Sequence, residues 1–171
     1  MTEYNDIYDI DRNLTGRTHR RGTRWHKGEY GLVVCGWVYD GKGKVLLTRR
    51  APEKTAAGTW ENSGGAVKAG EDSLSAIVRE LYEETGIQAR PEEFELLDSC
   101  TDRGIHYDHY CLKRDSAQVK VVLQPGETDG AQWATFAQIH EMIRAKQICK
   151  VIGKQFLQHE PMLLARQTQQ V

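Results

Sequence analysis

The sequence lacks any uninterrupted apolar run of about 20 residues, which excludes a membrane-spanning helix. Its beginning, MTEYNDIYDIDRN, has neither the cationic start nor the apolar stretch of a signal peptide. We therefore expect a cytoplasmic protein. Cysteine is scarce and shows no CxxC spacing, so we interpret the cysteines as free thiols, mostly filling the core, rather than as a zinc site. The cysteines are Cys35, Cys100, Cys111 and Cys149.

An excess of charge of one sign is also absent. Lys and Arg number 23 against 24 Asp and Glu, so no field of the whole molecule attracts nucleic acid or an acidic membrane. Charge is nevertheless clustered locally, because residues 17–27 are basic and residues 71–95 are rich in acids. A length of 171 residues, 39% of them hydrophobic, suits one domain with a sizeable core.

The pattern of apolar residues predicts a mixed α+β fold without internal repeats. Residues 1–30 read as an arm that packs on a single domain formed by residues 31–171. Alternating apolar residues bounded by turn residues predict strands at 32–40, 44–50, 60–67, 94–102, 104–114 and 118–124, and a strand that closes at 133–134. Helices are predicted at 73–85, 135–145 and 148–164, with Pro161 bending or ending the last.

The predicted helix at 73–85 carries three glutamates, Glu80, Glu83 and Glu84, beside an apolar stripe. Carboxylates about 5 Å apart at an effective dielectric constant of about 20 repel by roughly 3 kcal/mol per pair. One interpretation is a solvated acidic face relieved by Arg79 and Lys68, which the helix alone favours. The other is a site for a hard divalent cation, whose charge would remove the repulsion.

The loop before this helix shifts the balance toward the cation site. Its glycines, Gly64, Gly65 and Gly70, indicate a close approach of the backbone, and the carbonyl of Gly64 could supply a further oxygen ligand. Glu71 stands where it could satisfy free N–H groups of the first helical turn or hold Arg79.

At these positions the sequence resembles the Nudix family. Gly65, Glu71, Arg79-Glu80-Leu81, Glu83-Glu84 and Gly86-Ile87 occupy every fixed position of the Nudix box, a long signature that chance rarely produces. The resemblance covers about residues 30–145 and implies an α/β/α sandwich with a mixed β-sheet. It also implies that Glu80, Glu83, Glu84 and the Gly64 carbonyl bind Mg²⁺ or Mn²⁺, that Arg79 and Glu71 hold these carboxylates, and that the protein is a candidate homodimer.

The resemblance further implies hydrolysis of a nucleoside diphosphate linked to another group, X. A cation lowers the pKa of a bound water and neutralises phosphate oxygens, and a carboxylate accepts the water's proton. The candidates for this base are Glu80, Glu83 and Glu127, and for Glu127 an exposed turn residue is an equal alternative.

Contacts to the substrate are expected from Arg50 and Trp60. Arg50 ends a strand and could reach a phosphate, or it could be a surface arginine. Trp60 precedes the glycines and could stack on a base or fill the core. His106 and His109 face opposite sides of a strand and make a poor metal pair.

Two alternative functions remain open. The arm and first strand also resemble proteins related to isopentenyl-diphosphate isomerases, which would use a cysteine just before the box. That segment, WENSGGAV, has no cysteine and no histidine, so hydrolysis ranks higher. The basic residues 17–27, which include Trp25, could bind RNA, and the substrate could then be the 5′ end of an RNA. We favour a solvated arm, with a small-molecule diphosphate as the partner rather than nucleic acid.

Overall fold

The computed structural model describes residues 2–168 and contains two sheets and three α-helices in that range. The helices are α1 (Ser73–Thr85), α2 (Phe136–Arg144) and α3 (Lys150–Thr168). The strands are β1 (Tyr4–Tyr8), β2 (Leu14–Arg20), β3 (Gly31–Tyr39), β4 (Lys44–Arg50), β5 (Trp60–Glu61), β6 (Ser63–Ala66), β7 (Phe94–Asp102), β8 (Ile105–Lys113) and β9 (Thr128–Thr135). None of the described helices combines the length and apolar character that crossing a membrane requires.

Seven strands form the main sheet. Its order is β5-β4-β3-β8-β7, with β6 paired to β3 and β9 paired to β4. Strands β3 and β8 run parallel, whereas the other pairs are antiparallel, so the predicted mixed sheet is confirmed.

The sheet separates two apolar cores because side chains alternate along each strand. On β3, Val34 and Val38 face α1 and pack with Ile77. Trp37 lies in the opposite core with Phe156 of α3, where α2 also packs. Helices thus cover both faces, and the predicted α/β/α sandwich is confirmed.

Helix α1 begins and ends where its capping residues predict. The side chain of Asp72 accepts a hydrogen bond from the Ser75 N–H at 2.7 Å, and Gly86 takes a left-handed conformation with φ of 69°. The Gly86 N–H donates to the Tyr82 carbonyl at 2.8 Å. These caps fix the register of the helix, and with it the direction of the glutamates.

Three sequence predictions about secondary structure were wrong in detail. The segment 60–67 splits into β5 and β6, which pair with different strands. Residues 118–124 form no strand: Val119 and Val121 pack on the core near α1, and the Val122 N–H donates to the Thr85 carbonyl at the end of that helix. Helix α3 runs from Lys150 to Thr168 rather than over the predicted 148–164, and Pro161 lies inside it, so of the two alternatives for Pro161 the one that ends the helix is wrong.

The N-terminal residues form a hairpin of β1 and β2 that lies over the glycine-rich loop. The Asn5 amide donates to the Val67 carbonyl at 2.7 Å, and the Gly70 N–H donates to the Asp6 carboxylate at 2.7 Å. These contacts place the ends of the hairpin beside the loop that precedes α1. The division into an arm and a domain remains a prediction.

Candidate active site

A charged cavity of about 330 Å³ opens between α1, β6, the N-terminal hairpin and the loops that follow β4 and precede β9. Its walls carry both signs of charge. The carboxylates are Glu3, Glu61, Glu80, Glu83, Glu84 and Glu127, and the cations are Arg21, Arg50, Lys54, Lys68 and Arg79. The structure therefore brings all three glutamates of the helix into one cavity with the predicted Gly64 and Arg50.

Arg79 binds several of these carboxylates at once. Its guanidinium contacts both oxygens of Glu71 at 2.8 Å, one oxygen of Glu80 at 2.6 Å and one of Glu83 at 3.3 Å. The hydrogen bonds that Arg79 donates to Glu71 raise the pKa of Arg79, so its charge is permanent. Such a bidentate pair fixes orientation as well as charge, and Arg79 thereby aims the glutamates into the cavity.

Glu84 has one unpaired carboxylate oxygen, although contacts with the Ser63 hydroxyl and the Gly64 backbone partly offset the rise of its pKa. Its Oε2 is buried and has no hydrogen-bond partner among the described residues. Burial raises the pKa of Glu84, and the neighbouring carboxylates of Glu80 and Glu61 raise it further. An ionised carboxylate in this position requires a positive partner, and a hard divalent cation with oxygen ligands fits that requirement.

Two glycines allow the sheet to approach these carboxylates. A Cβ on Gly65 would lie 2.4 Å from the Cδ of Glu80, and a Cβ on Gly64 would lie 2.3 Å from the Val34 carbonyl oxygen. Neither position accepts a side chain without movement of its neighbours. The absence of a side chain at Gly64 allows its strand to pack closely on β3, and Gly64 lines the cavity with the carboxylates.

Sequence reasoning missed Glu61, which shares the cavity with Arg50. The Nη1 of Arg50 lies 2.8 Å from both Glu61 oxygens, and its Nε donates to the Thr55 carbonyl at 2.6 Å. Burial raises the pKa of Glu61, while the bonds to Arg50 oppose this shift. The sequence could have identified Glu61, because consecutive side chains of a strand point to opposite faces and Glu61 follows Trp60.

The same parity places Trp60 outside the lining of the cavity. Its ring packs against the core on the α2 and α3 side and lies 5.7 Å from the guanidinium carbon of Arg49. Trp60 borders a separate shallow cavity beside Met142 of α2. The structure does not bring Trp60 together with the glutamates.

Glu127 lies at the rim of the charged cavity. Its carboxylate pairs with Lys54, and its backbone carbonyl accepts from the Ala51 N–H at 3.0 Å. The side chain is 40% exposed in the turn before β9 and borders the cavity, and its assignment as the base or as an exposed turn residue stays a prediction.

The N-terminal hairpin adds residues that no local pattern could identify. Glu3 and Arg21 pair with each other, and Lys68 lies 3.8 Å from Glu3 and 3.9 Å from Glu83. Together they add charged groups to the lining of the cavity.

Within the basic segment 17–27, Trp25 and Arg17 contact other residues of the N-terminal arm. Trp25 stacks on His19 with ring centroids 3.7 Å apart, and Arg17 pairs with Glu29 at 2.8 Å. An aromatic ring already stacked in this way is a poor platform for a nucleobase, so the structure adds no support for RNA binding.

Comparison with known proteins agrees with this geometry. The model of the NUDIX domain matches residues 29–151, which is more than half of the chain. The chain belongs to the Nudix family. Nudix enzymes are pyrophosphohydrolases that generally use divalent metal ions, and the chain is an enzyme of this class.

Individual relatives extend the match. An uncharacterized Nudix hydrolase of Listeria monocytogenes is 30% identical over 141 residues, which span 76% of this chain and 78% of the relative. The CTP pyrophosphohydrolase of Escherichia coli is 42% identical over 63 residues, 37% of this chain and 47% of that protein. The crystal structure of DR0079 from Deinococcus radiodurans superposes with a TM-score of 0.72 at 21% identity, covering 86% of this chain and 92% of the other, which shows a shared fold.

An isopentenyl-diphosphate Delta-isomerase of Escherichia coli is also a relative of this Nudix protein. It is 36% identical over 77 residues, 44% of this chain and 40% of the isomerase. Among the described residues, however, no cysteine lines the charged cavity. Cys35 lies in β3 opposite Gly64, and burial raises the pKa of its thiol to about 12, so a reactive thiolate is absent at this position.

Proposed function

We propose that this Nudix enzyme hydrolyses a phosphoanhydride bond in a nucleoside diphosphate linked to a group X, by attack of water. The observation that carries the proposal is the buried, unpartnered Oε2 of Glu84 within a cluster of carboxylates that Arg79 orients. A cavity that concentrates carboxylates around an unsatisfied oxygen suits a divalent cation, and phosphate oxygens are ligands of the same kind.

Four groups would hold Mg²⁺ or Mn²⁺: the carboxylates of Glu80, Glu83 and Glu84 and the carbonyl oxygen of Gly64. When bound, such an ion supplies neutralisation of phosphate charge and a lower pKa of the attacking water. Glu71 and Arg79 contribute by fixing the direction of the carboxylates, as partners of metal ligands do elsewhere.

Glu80 is the proposed acceptor of the water's proton. Burial raises the pKa of Glu80, and the hydrogen bond from Arg79 opposes this shift. A base with a pKa raised toward neutrality takes up a proton more readily than an exposed carboxylate does. Glu127, paired with Lys54 at the rim, is the competing base.

The diphosphate itself is the part of the substrate that this cavity can recognise. Arg50, Lys54 and Lys68 line it, and no aromatic side chain among the described residues does so. Cations match the charge of a diphosphate, whereas an aromatic platform for a nucleobase is missing here. The nucleoside and the group X would therefore extend beyond the cavity, and the pairs Arg50–Glu61 and Lys54–Glu127 can rearrange toward the phosphates.

The test is a panel of nucleoside diphosphate–X compounds and prenyl diphosphates, incubated with the full chain in Mg²⁺ and in ¹⁸O-labelled water. We expect hydrolysis of at least one nucleotide substrate, with the label in a phosphate product, and loss of activity in EDTA that Mg²⁺ or Mn²⁺ restores. Comparing Glu80→Gln with Glu127→Gln at Mg²⁺ concentrations that saturate each variant tests the base, because the proposal requires the larger loss of kcat from Glu80→Gln even when metal binding is restored.

Two outcomes would contradict the proposal. Formation of dimethylallyl diphosphate from isopentenyl diphosphate would show that the protein is an isomerase. A hydrolysis rate that EDTA leaves unchanged would show that the reaction needs no divalent cation. The cytoplasmic location and the homodimer remain predictions.

A further inference from the structure

A second cluster of metal-binding side chains lies on the face of the sheet that α3 covers. Asp98 and Cys100 of β7 and His109 of β8 each present a ligand atom, and these atoms lie within 4.8 Å of one another. The pairing of Asp98 with His109 and of Cys100 with Tyr107 places them on one face. None of the three lines the charged cavity.

His109 is the unexplained residue of this cluster. It is 1% exposed, and neither of its ring nitrogens makes a hydrogen bond of good geometry among the described residues, although the nearby Asp98 backbone raises its pKa slightly. Buried polar groups in proteins are nearly always paired, and an imidazole that lacks both partners points to a missing ligand. Burial, and next the neighbouring His159, lowers the pKa of His109 to about 4, so the ring is neutral and has a lone pair to donate.

Helix α3 supplies groups that orient Asp98. Gln158 donates to the Asp98 Oδ2 at 2.6 Å, and the Nε2 of His159 lies 3.7 Å from the same oxygen. The Nδ1 of His159 is 3.1 Å from the indole nitrogen of Trp37, which can only donate, so a neutral His159 carries its proton on Nε2, the nitrogen nearest Asp98. Carboxylates that bind metals are commonly held by such outer partners.

We propose that Asp98, Cys100 and His109 bind a Zn²⁺ ion at a site separate from the charged cavity. A thiolate, an imidazole and a carboxylate are the donor types that Zn²⁺ takes in tetrahedral sites, whereas Mg²⁺ prefers oxygen ligands alone. Water completes the coordination. On binding, the Cys100 thiol releases its proton to solvent, and the lone pair of His109 forms the bond to the metal.

The site revises the interpretation of the cysteines as unconnected thiols. A CxxC spacing is only one way to assemble zinc ligands, and here the pairing of two strands assembles them instead. The bound ion would join the β7–β8 ladder to α3 through Gln158 and His159. A structural role for the ion follows, because the site sits behind the sheet rather than in the cavity.

Co²⁺ titration of the full chain in excess Mg²⁺ tests this site, because Mg²⁺ occupies the oxygen ligands of the cavity and Co²⁺ reports a thiolate ligand by its charge-transfer band in the near ultraviolet. We expect a saturable band that Zn²⁺ abolishes. Cys100→Ser removes the band, whereas the matched variant Cys149→Ser keeps it. Gln158→Ala retains the band but weakens binding by roughly tenfold.

Thermal unfolding with Zn²⁺ gives a second readout on the same proteins. Zn²⁺ should raise the Tm of the wild type and of Cys149→Ser, but not that of Cys100→Ser. The proposal fails if no thiolate band forms on folded wild-type protein, or if the band survives Cys100→Ser. Glu84→Gln separates the two sites: it should lose hydrolysis and keep the band, and loss of the band in this variant would place the ion in the cavity instead.

Discussion

Replacing Glu84 by Gln should have opposite effects on stability and on activity. The amide keeps the shape of the side chain but removes a charge that burial and two neighbouring carboxylates disfavour. In EDTA, we expect Glu84→Gln to be more stable than the wild type at neutral and alkaline pH. A buried polar group without its hydrogen-bond partners typically lowers the free energy of unfolding by about 1–3 kcal/mol. We expect Glu84→Gln to raise the free energy of unfolding by an amount of that order.

The pH dependence follows from the direction in which burial moves the pKa of Glu84. In the folded protein this pKa is raised above its ordinary value of 4.5, so protonated Glu84 favours the fold at low pH. This contribution is fully present below pH 4.5 and is lost as the pH rises through the folded pKa. Each tenfold difference in the proton affinity of Glu84 between the folded and unfolded chains changes the free energy of unfolding by about 1.4 kcal/mol. The advantage of Glu84→Gln should therefore vanish at acid pH and grow toward neutrality.

Urea unfolding in EDTA at a series of pH values measures this difference, and an activity assay with Mg²⁺ measures the loss of turnover. Glu92→Gln is the matched control, because Glu92 is exposed and lies outside the cavity. If Glu84→Gln were destabilising in EDTA at every pH, the carboxylate would already be well paired without metal. Normal turnover by Glu84→Gln would show that Glu84 is not a ligand of the metal ion.

Three further substitutions test the remaining parts of the site. Arg50→Ala should raise KM at least several-fold, because the guanidinium of Arg50 lines the cavity. Arg49→Ala and Trp60→Phe change side chains on the other face of the sheet and should leave KM unchanged. The reverse pattern would mean that Trp60 contacts the substrate. Gly65→Ala should displace Glu80 and weaken Mg²⁺ binding in a calorimetric titration, since its Cβ would lie 2.4 Å from Cδ, and unchanged affinity would contradict the packing. Arg79→Lys should lower kcat by roughly 10–100-fold, because an ammonium cannot replace the bidentate contact with Glu71, and an unchanged kcat would remove Arg79 as an orienting group.

Local patterns in the sequence predicted the parts of the fold that local forces determine. Asp72 and Gly86 mark the ends of α1, and the period of its apolar residues fixes its buried face. The spacing from Gly65 to Ile87 then identified the family. Residues 118–124 misled the prediction because their alternating valines resemble a strand, while the adjacent end of α1 captures the Val122 N–H.

The rest of the site depends on pairings that the sequence does not encode locally. Strand parity separates Glu61 from Trp60, but the pairing of β5 with β4 that brings Glu61 to Arg50 is not encoded locally. Glu3 and Arg21 reach it through a hairpin far from the box in sequence. The cluster of Asp98, Cys100 and His109 likewise needs the register of β7 against β8.

Calorimetric titration of Mg²⁺ into wild-type protein, with a non-hydrolysable diphosphate analogue present, tests most directly whether the acidic cluster exists to bind cations. We expect saturable uptake by the wild type and by Glu92→Gln, and none by Glu84→Gln. Folded wild-type protein that takes up no Mg²⁺ under these conditions would contradict both the ligand assignment and the proposed hydrolysis.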